Sequence, residues 1–240
     1  MKKDANACLI CGAPLVYLPE AKPMECAGCG RTFTSNAMCE NGHFICDDCH
    51  RAPALVVIRQ RCLQADDTNP IGLAEKLMQE PTVHMHGPEH HVLAGAALLT
   101  AYHNVTGKPG LEAALEKMVQ RGKQVPGGTC GFFGCCGAAV SAGIFGAIVL
   151  ESTPLSEETW GKANLLTSQC LANEAKVGGP RCCKRNVYLS ILTAVNRSEK
   201  PVVLSLKADR VLLFAGAEPA LSSKDITVPP CSAAILQLIP

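Results

Sequence analysis

Eight potential metal ligands fall at short, fixed spacings in the first fifty residues. Cys8 and Cys11 form one Cys-x2-Cys turn, Cys26 and Cys29 a second after 14 intervening residues, and Cys39-x3-His43-x2-Cys46-x2-Cys49 follows. Such a turn presents two thiolates to one tetrahedral ion, so the spacing constrains this segment more tightly than its sparse apolar pattern does. A fragment this small lacks a core of its own, and metal ligation supplies the folding energy. Two zinc ions are expected, held by Cys8, Cys11, Cys26, Cys29, Cys39, His43, Cys46 and Cys49.

The second half of this set resembles the middle of a RING-type cross-brace domain without that family's terminal Cys-x2-Cys pair, which Cys8 and Cys11 can supply from the front. Two pairings are open. The sites are either sequential, or interleaved with Cys26, Cys29, Cys46 and Cys49 on one ion and Cys8, Cys11, Cys39 and His43 on the other. Four protein ligands per ion leave no position for substrate, so both sites read as structural. His50 is a spare ligand or an exposed side chain.

The chain carries 15 cysteines in 240 residues, an odd number and too many for a disulfide framework in a chain long enough to bury a full core. The opening Met1-Lys2-Lys3-Asp4-Ala5-Asn6 reaches the first cysteines before any apolar stretch, so a cytoplasmic location is expected. A net charge of +1 offers no electrostatic footprint for nucleic acid or an acidic membrane surface. Residues 125–150 are uncharged, but their glycines leave only the stretch 137–150 as one apolar helix, which is short for a membrane span and suits a helix buried in protein.

Scarce aromatics and abundant alanine, leucine and glycine favour a mainly α fold of closely packed helices. The expected domains are a zinc-binding module over 1–52, a helical core over 65–199 carrying a Cys/His site, and a small β appendage over 200–240, with 53–64 as connector. Helices are expected from Asn69-Pro70, with Ile71, Leu73, Ala74, Leu77 and Met78 on one face, and from Gly87-Pro88 to about Val105. Others are expected over Leu111 to about Lys123, Ser156 to about Lys176, and Arg181 to about Arg197. Strands are expected at Val202–Leu206, Arg210–Phe214 and Ala233–Leu238.

Two clusters in the core carry chemistry. His84-Met85-His86-Gly87-Pro88-Glu89-His90-His91 gathers histidines and a glutamate at a helix start, where free N–H groups favour an anion such as a substrate carboxylate. Histidine is both an acid/base near neutral pH and a metal ligand. Cys130, Cys135, Cys136, Cys182 and Cys183 flank glycine-rich turns, where thiol pKa falls and iron–sulfur clusters are commonly held. Cys62, Cys170 and Cys231 read as buried hydrophobes.

Cys136-Gly137-Ala138-Ala139-Val140 resembles the Cys-Gln-Ala-Glu-Val segment of the iron–sulfur L-serine dehydratase α-chain and its cysteine-desulfidase relatives, and Cys182-Cys183-Lys184-Arg185-Asn186 resembles their Cys-Ile-Glu-Arg-Asn segment. Ala139 and Lys184 stand where that family has glutamates. Across the core, the combination of His-Gly-Pro-Glu-His-His, Gly-Gly-Thr-Cys-Gly and Gly-Pro-Arg-Cys-Cys-Lys-Arg is more similar to an uncharacterised family of anaerobic bacteria and archaea, domain of unknown function 5714.

The first resemblance implies a [4Fe–4S] cluster with an open iron on Cys136 and Cys182, with Cys130 or Cys183 as the third ligand. It also implies a lyase that eliminates water or sulfide from a small carboxylate-bearing substrate. His86, His90 or His91 would be the acid/base, assisted by Glu89 or Lys184. Two alternatives stand beside it: a zinc-supported thiol, redox or interaction module without a cluster, and a metal-dependent hydrolase using His84–His91. A small-molecule substrate is the expected partner, and self-association into a homo-oligomer is left open.

Overall fold

The computed structural model describes residues 7–195 with their side chains and, beyond them, the backbone of strands between 202 and 238. The chain is mainly α, with a small N-terminal hairpin and a short C-terminal β region. Strand β1 (Leu15–Glu25) pairs antiparallel with β2 (Thr32–Cys39), Leu15 lying opposite Cys39 and Glu25 opposite Thr32. The hairpin is short of core: its well-buried side chains are chiefly Met24 and the cysteines expected as ligands.

Helix α1 (Asp47–Gln64) starts inside the last Cys-x2-Cys turn and includes the stretch expected to be a connector. Its early turns carry Cys49, while Ala54, Ile58 and Cys62 join the main core. One rigid element thus belongs to both the ligand module and the helical domain. Short apolar spacing over 53–64 hid this, because Pro53 reads as a break, although the helix passes through it.

Helix α2 (Pro70–Gln79) begins as expected: Asn69 Oδ1 accepts from the backbone N–H groups of Ile71 and Gly72, and Pro70 sits in the first turn. Leu73, Ala74, Leu77 and Met78 are its buried face. Helix α3 (His90–Thr106) is buried over its whole circumference from His90 to Ala101, as befits the central helix, and ends at Gly107 in the left-handed region (φ 65°). Helices α4 (Leu111–Gly122), α5 (Thr129–Phe132) and α6 (Gly137–Val149) follow, then α7 (Glu158–Val177) and α8 (Cys183–Val195).

Small residues set how closely these helices approach. An added Cβ on Gly95 of α3 would lie 2.7 Å from the Ser141 carbonyl oxygen of α6, and the Gly95 N–H donates to Ser141 Oγ at 2.9 Å. On the far side of α6, a Cβ on Gly143 would meet Thr167 Oγ1 of α7. The uncharged stretch 125–150 therefore resolves into turns and a buried core helix. No helix among the described residues is long and apolar enough to cross a membrane.

The C-terminal strands are β3 (Val202–Leu204), β4 (Ala208–Ala215), β5 (Ala220–Leu221), β6 (Ile226–Val228) and β7 (Ala233–Leu238). β6 lies between β3 and β5, and β4 pairs with β7, all antiparallel. Cys231 and residues 196–200 lie outside the described residues.

Candidate functional site

The eight N-terminal ligands converge as two sets, and the pairing is the interleaved one. Cys8, Cys11, Cys39 and His43 bring their ligand atoms within 4.8 Å of one another, as do Cys26, Cys29, Cys46 and Cys49. The chain enters β1 from the first knuckle, turns through the second, and returns along β2, so the hairpin carries Cys39 back beside Cys11. Cys11 Sγ and Cys39 Sγ are 3.8 Å apart, and Cys29 Sγ and Cys46 Sγ 3.9 Å. Thiolates on one tetrahedral ion with bonds of about 2.3 Å stand roughly 3.8 Å apart.

Backbone N–H groups point at the sulfurs in both knuckles: Ile10 to Cys8 at 3.4 Å, Gly28 to Cys26 at 3.3 Å, Cys46 to Cys26 at 3.2 Å and His43 to Cys39 at 3.3 Å. Such bonds favour thiolate over thiol. The backbone N–H of Ala13, with the Asn41 side chain, brings the Cys11 thiol down to about 6. Burial pushes Cys26 up, yet the N–H groups of Cys46, Gly28 and Cys29 bring it to about 6. Both sets can hold a metal ion, and with four protein ligands each they are closed.

A cleft of about 780 Å³ opens between this module and the helical core. Its walls include His50 and Arg51 of α1, His84, His86 and His91, Cys130, and Arg181 and Cys183 before and at the start of α8. Aromatic groups line the module side, where Tyr17 packs edge-on to Phe132 at 6.0 Å and the Arg181 guanidinium lies 5.7 Å from the Tyr17 ring centre.

The turn before α3 forms the floor. Glu89 is fully buried; its Oε1 accepts from the His84 N–H at 2.9 Å, and its Oε2 lies 3.2 Å from His50 Nδ1. That second approach is out of line with the ring N–H, so neither atom completes a hydrogen bond. Burial pushes the Glu89 carboxyl up, but His50, with His90 nearby, more than offsets this and holds it below its usual range. The N–H groups of this helix start, expected to attract an anion, are already taken: those of His90, His91 and Val92 donate to the Gly87, Pro88 and Glu89 carbonyls, and the Glu89 side chain does not cap them. Only glycine fits at position 87, because a Cβ there would lie 2.1 Å from Glu89 Oε2 and 2.5 Å from His50 Cε1.

The other sequence-derived residues take up distinct places. His90 Nε2 donates to the His84 carbonyl at 2.9 Å, and burial lowers its pKa to about 4, so it is neutral near pH 7. His91 Nδ1 donates to the Val125 carbonyl at 3.0 Å, with its ring against Gly137. His86 stands in the cleft wall with a buried Nδ1 that has no hydrogen-bond partner. Lys184 Nζ donates to the Met78 carbonyl. Cys183 faces the Gly87 N–H and the field of Cys130 and Glu89, and burial raises its thiol to about 11.

Cys136 keeps other company. Asn186 Nδ2 donates to its Sγ at 3.3 Å and to Glu174 Oε2 at 3.3 Å, while Ser190 Oγ donates to Glu174 Oε1 at 2.8 Å. Burial and the Glu174 charge push the Cys136 thiol up to about 12, and burial raises the Glu174 carboxyl to about 7. Of the four expected cluster cysteines, Cys130 and Cys183 thus line the cleft and Cys136 joins this polar group among α6, α7 and α8; Cys182 caps the approach to α8, its carbonyl accepting from Asn186 N–H at 2.9 Å. Cys62 and Cys170 are fully buried, as expected.

Sequence reasoning missed His50, which looked like a spare ligand yet is the partner of Glu89, and Glu174, a lone acid in α7. His50 meets a carboxylate on another element, and Glu174 meets Asn186, Ser190 and Cys136 on two others, so no local spacing signals them.

A family model, described as a family of unknown function (DUF5714), matches residues 58–213. The chain belongs to that family. The DUF5714 region starts within α1 and takes in α2 to α8, so the core-side wall of the cleft lies inside it and the metal-ligand module outside. No curated protein and no solved structure matches the chain, and the local likeness to serine dehydratase rests on its two short segments alone.

Proposed function

We propose that this DUF5714 protein is an enzyme whose active site is the cleft, performing proton-transfer chemistry, hydrolysis or elimination, on a small carboxylate-bearing molecule. Zinc in the two closed sites fixes the module, and through α1 the module delivers His50 to the core. The observation that carries the reading is the His50–Glu89 pair, a fully buried carboxylate 3.2 Å from an imidazole that opens on the cleft. A buried carboxylate costs several kcal/mol unless it is paired, and such pairs cluster where acid/base work is done.

In this reading His50 takes or gives the proton and the Glu89 carboxylate, 3.2 Å away, is its acidic partner. Arg181 is the counter-charge for the substrate carboxylate, since the first N–H groups of the helix start already bond the preceding turn. His86, also in the cleft wall, is the second proton carrier. His90, neutral and bonded to the His84 carbonyl, positions the turn. The reduced thiols suit a cytoplasmic setting.

A cluster-dependent lyase is the second reading, favoured by the presence of both Cys130 and Cys183 on the cleft wall. Anaerobically prepared protein would then contain iron and acid-labile sulfide, both diminished by Cys183→Ser. The first reading expects turnover within a panel of small hydroxy-, amino- and acyl-carboxylates that falls at least about 100-fold in His50→Gln, the scale of a lost general base. Turnover indifferent to His50→Gln and Arg181→Ala would overturn it.

A further inference from the structure

The chain has few aromatic residues, one Trp, three Tyr and six Phe, and five of these ten line the cleft: Tyr17, Phe33 and Phe44 from the module, Phe132 and Phe133 from the core. Rings of this kind normally collect in interiors, yet Tyr17, Phe132 and Phe133 are 48%, 54% and 80% exposed. Large apolar groups left open together around a cleft mark a surface that binds.

Two of these rings are held in place. Phe132 packs over Gly128, whose backbone is in the left-handed region (φ 82°) and where a Cβ would stand 3.2 Å from the ring. It meets Tyr17 edge-on at 6.0 Å, so module and core together present one aromatic wall. The turn that carries Phe132 is tied to α1 by the Gly127 N–H, which donates to Asp47 Oδ2 at 2.6 Å. The Arg181 guanidinium lies 5.7 Å from the same Tyr17 ring, and among the described residues no carboxylate pairs with it. An unpaired cation and an exposed phenylalanine thus stand on one tyrosine.

We propose that the cleft selects carboxylates that bear a planar aromatic group, with Arg181 pairing the carboxylate and with Tyr17 and Phe132 setting specificity for the ring. The inference rests on the cleft being the site that takes a carboxylate, and it names the substrate class. An acid as small as lactate would fill only a small part of about 780 Å³, whereas clefts of this size enclose much larger ligands. An aliphatic tail would gain burial alone on such a wall. A ring also gains edge-to-face contact and the attraction of a guanidinium for its π face.

Calorimetric titration of the full chain, kept reduced and supplied with zinc, tests the proposal with 3-phenyllactate, phenylpyruvate and phenylalanine against their ring-free counterparts lactate, pyruvate and alanine. At least one aryl acid should bind about 10-fold or more tightly than its counterpart, and more tightly than the cyclohexyl analogue of the same acid. Tyr17→Leu and Phe132→Leu keep apolar bulk at two half-exposed positions. Each should weaken that aryl acid by about 3- to 10-fold and leave the ring-free acid unchanged, while Arg181→Ala should weaken both. No binding of any aryl acid, equal binding of the cyclohexyl analogue, or affinities indifferent to both leucine variants would overturn the proposal. Aryl-selective binding without turnover would leave it standing and remove the proton-transfer reading; turnover that needs His50 but favours lactate, pyruvate or alanine would do the reverse.

Discussion

Glu174 shows how one residue takes its character from surroundings that the sequence does not display. In an exposed helix it would be an ordinary solvated acid; here Ser190 and Asn186 hold its oxygens beside the Cys136 sulfur, and burial raises its carboxyl from 4.5 to about 7. A carboxyl raised in the folded state stabilises fully below its unfolded value, and that contribution is lost as pH rises from about 4.5 through about 7. The loss is on the order of 3 kcal/mol. Glu174→Gln keeps the acceptor for Ser190 and has no proton to lose. Denaturant titrations should therefore show the variant gaining stability relative to wild type between pH 5 and pH 8 and becoming the more stable protein at pH 8. Gly95 offers a second residue-scale test. Alanine there would push into the backbone of α6, so Gly95→Ala should cost about 1–3 kcal/mol in urea unfolding, whereas Gly161→Ala, whose Cβ meets nothing within 4 Å, should not.

At the scale of elements, α1 is the hinge between two ways of stabilising a fold. Its first turn is fixed by the ligand set containing Cys46 and Cys49, and its later turns by apolar packing of Ala54, Ile58 and Cys62. Removing metal should therefore release β1, β2 and the start of α1 but leave α2 to α8 folded. Hydrogen exchange on chelator-treated protein should show fast amides over 15–45 and unchanged protection in α3 and α6. The interleaved pairing makes a sharper statement. Cys39→Ser should lose the ion shared with Cys8, Cys11 and His43 and retain the other, so metal content falls by one; loss of both would show that the two sites fold as one unit.

Across the whole molecule, His86, His90 and His91, at the turn into α3, pull stability down in acid. His90 is lowered from 6.5 to about 4 by burial, and burial lowers His86 and His91 as well. A base depressed in the folded state costs nothing above its unfolded value, and stability is lost as pH falls from about 6.5 through about 4, by on the order of 3 kcal/mol for His90 alone. Glu174 acts in the opposite sense over nearly the same range, so between about pH 4.5 and 6.5 the two contributions largely cancel and together leave stability nearly flat. Thermal melts across pH 4–8 should therefore show His90→Gln gaining stability relative to wild type as pH falls from about 6.5 to about 4.5, Gln being uncharged throughout and Glu174 then unopposed. The cleft itself is a property at this scale: it exists only where module and core meet, so a chain beginning at Ile58 would keep the DUF5714 core and lose His50 and the module wall.

Much of this was legible in residue order because the determining forces are local. Metal-ligand spacing picked out the eight residues that gather in two sets able to hold ions, Asn69-Pro70 marked the start of α2, apolar periodicity placed α2 and α4, and start and stop residues placed α7 within a few residues. The small-residue composition of 137–149 announced a buried helix through the close approach it permits. What the sequence left open depended on distance in space. Which knuckle shared which ion was decided by the hairpin, which folds Cys39 back onto Cys11. The role of His50 was decided by a helix that carries it to a carboxylate on another element, and that of Cys136 by the convergence of three helices on Glu174 and Asn186. A side chain's chemistry follows from its neighbours and from how much water reaches it, and for these residues both are set only when distant segments pack.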